Sequence, residues 1–316
     1  MSTGNGSITF DRGETHSYYG RPILKEPVWK PEVAWYFFTG GIAGASSVLS
    51  LAARAARNER LAKTSMWIGL AGEVVSPALL VADLGRPERF LNMLRVFKVT
   101  SPMSVGSWIL AGSGTATAAE VACEVLGIFP RLKLVPATVA ALLGGPLATY
   151  TATLISDTAI PVWHEARREL PFVFGTSAAA SAGAAAAIFV PPGEAGPARR
   201  LAVAGVLAEN AAVVLMEKRL GFVGEPYHEG AAGRLGLLAK VSTLGGAMLL
   251  GRRGRRSRGA AVAGGALVLA GEAALRWSIF KAGFQSARDP KYVVRPQRER
   301  GGRYTAATGS DPVNGL

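Results

Sequence analysis

One cysteine and three histidines in 316 residues leave this chain almost without soft or imidazole metal ligands. Cys123 lies inside an apolar run and has no partner for an internal disulfide, so it reads as a small packing residue. His16, His164 and His228 all fall between apolar runs, which argues against bis-histidine haem held within a helical bundle. Without a cysteine cluster there is also no basis for an iron–sulfur centre or a structural zinc. Charge is scarce as well: only 18% of residues are Asp, Glu, Lys or Arg, against roughly a quarter in soluble domains. The first 32 residues show no basic, then apolar, then small-residue cleavage pattern, so insertion is expected to be directed by the first apolar run and not by a removable leader.

What fills the space is hydrocarbon. Hydrophobic residues make up 49% of the chain and mean hydropathy is +0.24. Eight apolar stretches have lengths that suit a bilayer, at 33–53, 65–82, 105–128, 134–156, 171–190, 201–216, 235–250 and 259–280. Buried in lipid, each backbone N–H and C=O must be satisfied within its own segment, so these runs are helices. The alternation of a membrane barrel is absent. The expected fold is therefore all-α, an integral membrane bundle of eight transmembrane helices in two four-helix-like halves. Residues 1–32 form a polar N-terminal segment, 33–280 the membrane domain, and 281–316 a basic C-terminal tail expected to be disordered after Gly301. Small residues crowd the runs, as in GGIAGASS (Gly40 to Ser47) and GTSAAASAGAAAA (Gly175 to Ala187), a composition that lets helices approach closely.

The net charge of +13 points to membrane lipid and topology, not to nucleic acid, because the bases sit between apolar runs. The short connections after the first, third, fifth and seventh runs hold 13 Lys/Arg against only Glu59 and Glu194. Short basic loops stay in the cytoplasm, which places both termini outside the cell membrane; the basic tail argues the other way.

Ionisable side chains at membrane depth cost something like 2.5–3.5 kcal/mol each on insertion scales. Glu73, Glu120, Glu209 and Glu272 lie deep, whereas Glu124, Lys240 and Arg276 can snorkel. The four deep acids are read either as pins that hold helices together or as a proton relay. Glu272 and Arg276, four residues apart, are placed to pair on one helical face. Two aromatic and hydroxyl-rich stretches share one end of the bundle. The first run opens with Trp35, Tyr36 and Thr39; the fourth carries Tyr150, Thr151 and Thr153 and leaves the membrane at Asp157. They are either an interfacial aromatic belt or the lining of a quinone pocket, which needs a flat apolar slot, a donor for each carbonyl oxygen and a proton route. VADLGRPERFLNML (Val81 to Leu94) makes a polar corner after the second run. Gly85 suits a turn, Pro87 opens a short helix, and Asp83 and Arg86 are expected to form an ion pair.

WYFFTGGIAGASSVL in the first run, DLGRPERFLNMLRVFKVTSPMSVGSWIL from Asp83 to Leu110 and YTATLISDTAIPVW from Tyr150 to Trp163 together resemble the polysulfide-reductase-type (NrfD/PsrC) membrane-anchor family. The resemblance implies an eight-helix subunit without haem that exchanges electrons between membrane quinone, menaquinone by preference, and an iron–sulfur subunit joined to a molybdopterin oxidoreductase. It also implies that a tyrosine of the fourth helix touches the quinone, and Tyr150 is the matching position. An asparagine and a histidine that some members carry on the first helix have no counterpart among Trp35, Tyr36 and Thr39. By the same resemblance, Asp83 to Phe90 faces the docking partner or roofs the quinone slot. The tail from Lys281 to Arg300 interleaves Phe284, Tyr292, Val293 and Val294 with charges, which suits docking on protein or gripping lipid headgroups. A proton-coupled transporter and a structural anchor without a quinone site remain as alternative readings.

Overall fold

The computed structural model describes residues 23–127 and 133–298. His16, the end of the third apolar run at Ile128, and the tail after Gly301 lie outside them. Among the described residues there are helices and no strands. The helices are α1 Pro31–Ala55, α2 Glu59–Asp83, α3 Pro102–Leu126, α4 Leu134–Ser156, the short α5 Pro161–Glu165, α6 Leu170–Phe189, α7 Gly196–Leu220, α8 Gly230–Arg252 and α9 Arg258–Arg288. Six of them (α1, α2, α3, α4, α6 and α9) are long and apolar enough to cross a membrane. Although α7 and α8 are longer than α6, they carry more charge, including Glu209, Glu217 and Lys240.

Local signals set the ends. Asn58, Ser101 and Ser257 cap α2, α3 and α9 by accepting the backbone N–H three residues on. Gly127, at φ 64°, closes α3 in the left-handed conformation open to glycine. The helices overrun the apolar runs because charged residues at their ends continue the hydrogen-bond ladder after leaving hydrocarbon. The largest difference is at the C-terminus: α9 continues past Phe280 to Arg288, so the tail expected from 281 begins eight residues later.

Neighbour relations give two four-helix rings, α1–α2–α3–α4 and α6–α7–α8–α9, joined where α1 and α6 pack together. The seams are built on backbone. A β-carbon on Gly44 would collide with the Gly144 carbonyl across α1/α4. Gly183 and Gly205 stand equally close to Ala202 and Ala180 across α6/α7, and Gly246 to Gly264 across α8/α9. Lipid tails are as apolar as leucine, so close van der Waals approach of this kind holds membrane helices together. Two apolar clusters result. An aromatic-rich one lies toward the described termini and contains Phe37, Trp163, Phe174 and Phe280. An alanine-rich one lies toward the opposite end.

The terminal end is tied by side chains. Trp163 of α5 donates its indole N–H to the Ile279 carbonyl at 2.8 Å, fits against Gly283, and stacks on Trp29 at 5.6 Å. Arg288 pairs with Glu26 at 2.9 Å. Residues 291–298 form a further helix that folds back on the turn Gly221–Tyr227. There Tyr292 donates to Glu225 at 3.1 Å, Lys291 pairs with Glu225 at 2.9 Å, and Arg295 lies over the Phe222 ring. This part of the tail therefore docks on protein, and the protein is its own chain.

Two predictions follow from the packing. Gly44→Ala should destabilise the purified protein by about 2 kcal/mol, as overpacking does, while Gly145→Ala, whose β-carbon meets nothing, should leave the detergent-solubilised melting temperature unchanged or slightly raised. Equal losses at both sites would refute the backbone seam. Hydrogen bonds from Lys291 and then Tyr292 hold the Glu225 carboxyl below its ordinary value of 4.5, and Glu225 in turn raises Lys291 above 10.5. A depressed carboxylate loses its contribution only as pH falls through the folded value, and a raised lysine only as pH rises through its own. Protease protection of residues 291–298 should accordingly stay constant between pH 4.5 and 10.5 and fail only outside that window.

Candidate functional site

At the terminal end of the first ring, α3 begins where α4 ends, and the loop carrying α5 crosses below them. Between these elements lies a cavity of about 580 Å³. Val99, Pro102 and Val105 give it one apolar wall; Tyr150 and Thr153 of α4 form another. Asp157, His164 and Arg167 stand at its polar edge. Asp157 is the C-cap of α4, its N–H bonded to the Thr153 carbonyl, which leaves the carboxylate to the cavity edge. His164 is turned by a contact between its Nδ1 and the Ser156 carbonyl at 3.2 Å, and Arg167 donates to the His164 carbonyl at 3.2 Å. A carboxylate, an imidazole and a guanidinium thus meet hydroxyls and an apolar wall at the depth where a bilayer interface would lie.

Tyr150 is seated by its neighbours. Gly106 of α3 lies flat against its ring, and any β-carbon there would occupy the ring's place. On the other side the Tyr36 ring stands 6.3 Å away. Tyr150 is half-buried and lines the cavity, so its phenolic O–H is a donor that the site can offer to a ligand.

The other expected site residues are distributed differently. Tyr36 is fully buried behind Tyr150. Thr39 bonds to Ser76 of α2 at 2.9 Å. Trp35 is 44% exposed, packed edge-on against Trp277 of α9, in keeping with an interfacial aromatic. None of the three lines the cavity, which opens between α3 and α4 instead of between α1 and α4; the α1/α4 seam is closed by Gly44 and Gly144. Pro87 does open a short 3-10 helix, Pro87–Leu94, with no buried residue. The expected Asp83–Arg86 ion pair is not formed: Asp83 accepts the backbone N–H of Lys30 at 2.9 Å and so clamps the start of α1, leaving Arg86 exposed. After that turn, Val96, Phe97 and Val99 are exposed beside the cavity mouth.

The four deep acids separate into three settings. Glu73 of α2 accepts from Ser113 of α3 at 2.5 Å. Glu120 is bound by Arg54 at 2.9 Å and by Ser50, with Lys63 and Lys133 on nearby Glu124, so it joins an ion cluster at the opposite end of the bundle. Glu209 and Glu272 come together in the second ring. The expected Glu272–Arg276 pair is not made: Glu272 accepts from Ser177, while Arg276 donates to the Phe174 carbonyl at 2.9 Å and lies over the Phe174 ring at 3.7 Å. Both α6 groups offer nearer partners than the one-turn reach along α9.

Against this geometry, the family model for Polysulphide reductase, NrfD matches residues 23–220. The chain belongs to the NrfD family. Members of the NrfD family are membrane subunits of oxidoreductase complexes that partner other redox subunits, and the multi-pass helical architecture agrees with that. A comparison with curated proteins finds no match. The cavity, from Val99 to Arg167, lies wholly within the matched NrfD segment, whereas α8 and α9 lie beyond it.

His164 and Arg167 line the cavity and were not among the residues expected from the sequence. The signal was available: both follow Asp157 within one short loop on the side where α4 ends. Direct contact between Gly106 and Tyr150 yields a further expectation. Gly106→Ala should cost about 1–3 kcal/mol in the native chain and much less in a Tyr150→Ala background, measured as a double-mutant cycle on thermal unfolding. Identical costs in both backgrounds would mean the ring lies elsewhere.

Proposed function

We propose that this NrfD-family chain is the quinone-interacting anchor of a multisubunit oxidoreductase, crossing the cell membrane eight times with both termini outside. In this reading α7 and α8 join the six more apolar helices as spans, since α8 and α9 pack along their length and cannot sit in different phases. The arginines between Arg252 and Arg258 and those between Arg54 and Arg60 then face the cytoplasm. The partners are an iron–sulfur subunit and a molybdopterin catalytic subunit, docked on the outer face. No haem and no iron–sulfur cluster is assigned to this chain.

The observation that carries the reading is the cavity beside Tyr150: an apolar slot at interface depth with a phenol in its wall and ionisable groups at its edge. Such a slot suits the flat ring of a quinone, menaquinone by preference, which supplies the two-electron, two-proton chemistry when bound. Tyr150 orients one carbonyl oxygen by donating its O–H. Val99 and Val105 exclude water from the ring. Asp157 and His164, at the wet edge, hold and exchange protons with the aqueous phase, and Arg167 balances the carboxylate. Asp83, at the end of α2, and Arg86, on the exposed turn that follows, lie on the face offered to the iron–sulfur partner.

The complex purified with its partners supplies the test. Tyr150→Phe should lower quinone-linked turnover about tenfold, the equivalent of one lost hydrogen bond of about 1.4 kcal/mol, and His164→Leu should displace the pH profile of turnover. Arg86→Ala should reduce the partner retained through purification while leaving insertion intact. Parental turnover and quinone-analogue affinity in both cavity variants would overturn the quinone assignment and leave a structural anchor.

A further inference from the structure

The second ring contains another cavity, of about 330 Å³, which none of the quinone reading uses. At its terminal end it is lined by His228, which is exposed and faces Glu217 at 3.7 Å. Its walls come from α7, α8 and α9, with Lys240, Val213 and Ser278 among them. Its inner end is Glu209. That residue stands eleven positions before Leu220, the end of α7, hence about 16 Å down the helix and near the middle of a hydrocarbon layer about 30 Å thick.

Glu209 is 3% exposed and Glu272 wholly buried, and their carboxyls lie within hydrogen-bonding reach of each other. No O–H or N–H donor reaches Glu209 Oε2 or Glu272 Oε1; the second oxygen of Glu272 takes the Ser177 hydroxyl at 2.5 Å. Two buried carboxyls in contact with no donor between them are satisfied by a single shared proton. The pair then bears one negative charge, and Arg276, 1% exposed, bears one positive charge beside it. The other titratable groups facing the cavity are Glu217 from α7, Lys240 from α8 and Tyr227 and His228 from the connecting turn.

We propose that this cavity is an aqueous inlet from the terminal side to a proton-holding site formed by Glu209 and Glu272, with Arg276 as its fixed counter-charge. A proton arriving through water at the mouth passes Glu217 and His228, leaves its carrier oxygen or nitrogen, and forms an O–H bond on Glu209. The pair goes from one proton to two, and the Glu209–Glu272–Arg276 cluster from neutral to singly positive. Release reverses both changes, and no electron moves. The site is separate from the Tyr150 cavity, which belongs to the other ring.

Infrared difference spectroscopy on the full chain in phospholipid nanodiscs, with neither partner nor quinone present, tests this directly. In a Glu73→Gln background, which removes the isolated buried carboxyl of the first ring, a protonated-carboxyl band should appear and should shift in D₂O. Glu209→Gln and Glu272→Gln should each abolish or displace it. Val213→Trp, which fills the inlet without touching the carboxyls, should keep the band but slow its H/D exchange at least tenfold. A band indifferent to both glutamine substitutions would overturn the site, and unchanged exchange in Val213→Trp would overturn the inlet. Should the glutamine variants fail to fold, carbodiimide labelling of the Glu73→Gln chain decides: an adduct on Glu209 or Glu272 supports the proposal and its absence refutes it. Because no quinone enters the experiment, its failure leaves the Tyr150 reading untouched.

Discussion

Backbone-to-backbone contact between helices is the constraint from which the remaining features follow. Where Gly44 meets Gly144, Gly205 meets Ala180 and Gly246 meets Gly264, nothing larger than hydrogen fits. Seams this tight expel water and large side chains, so the larger polar groups of the bundle gather where the seams part, while small pairs such as Ser113 with Glu73 fit between packed helices. The seams part in three places. The gap between α3 and α4 exposes Tyr150, the gap among α7, α8 and α9 exposes Glu209, and the end of α1 near α3 gathers Arg54 with Glu120 and Glu124.

The terminal end has a second constraint in Trp163. It joins α5 to α9 through the Ile279 carbonyl, and its ring rests on Gly283 below and Trp29 beside it. The loop that carries His164 and Arg167 is therefore attached to the second ring even though its cavity lies in the first. Lys30, held by Asp83, fixes the start of α1 in the same layer. The edge of the Tyr150 cavity is thus positioned by both rings, in addition to the contacts that His164 and Arg167 make with the Ser156 and His164 carbonyls.

Much of this architecture is written in one-dimensional pattern. Eight apolar runs became eight helices of 20 residues or more, because hydropathy reports directly on which segments can leave water. Small-residue runs announced close seams without saying which helix meets which. That depends on pairwise fit: GGIAGASS on α1 supplies Gly44 to α4 and Ala43 to α2 from one sequence stretch. The residues expected on the fourth helix reach the cavity and those expected on the first do not. Tyr150 and Asp157 line the cavity, but Tyr36 and Thr39 face inward to a ring and a serine. Aromatic and hydroxyl content fixes the depth of a residue far better than its direction around a helix, since α1 is enclosed on several sides by other helices. The local ion pairs expected at Asp83–Arg86 and Glu272–Arg276 failed for a related reason. Sequence spacing sees only partners on the same helix, and a backbone N–H or carbonyl from another helix was closer.

The two cavities open toward the same end, and the opposite end differs from both. Beyond Glu209 and Glu272 the second ring closes into the alanine-rich cluster, with Val206, Leu250 and Val268 buried, Gly205 locking α7 to α6, and Gly246 and Gly264 locking α8 to α9. That plug lies between the carboxyl pair and the basic loops; its buried polar groups are hydroxyls such as Ser181 and, at the loop end, Arg199, which donates to the Pro192 carbonyl. A proton on the pair therefore meets a low-dielectric barrier on one side and an aqueous approach on the other. Passage through the plug requires helices to separate at contacts too close for a methyl group, which is a large rearrangement and not a side-chain rotation. Loading from the terminal side, by contrast, needs no movement of the helices. Under the two proposals the bundle exchanges quinone-sized and proton-sized ligands with this one face, and α1, α6 and the Trp163 layer are the elements that the two rings share there.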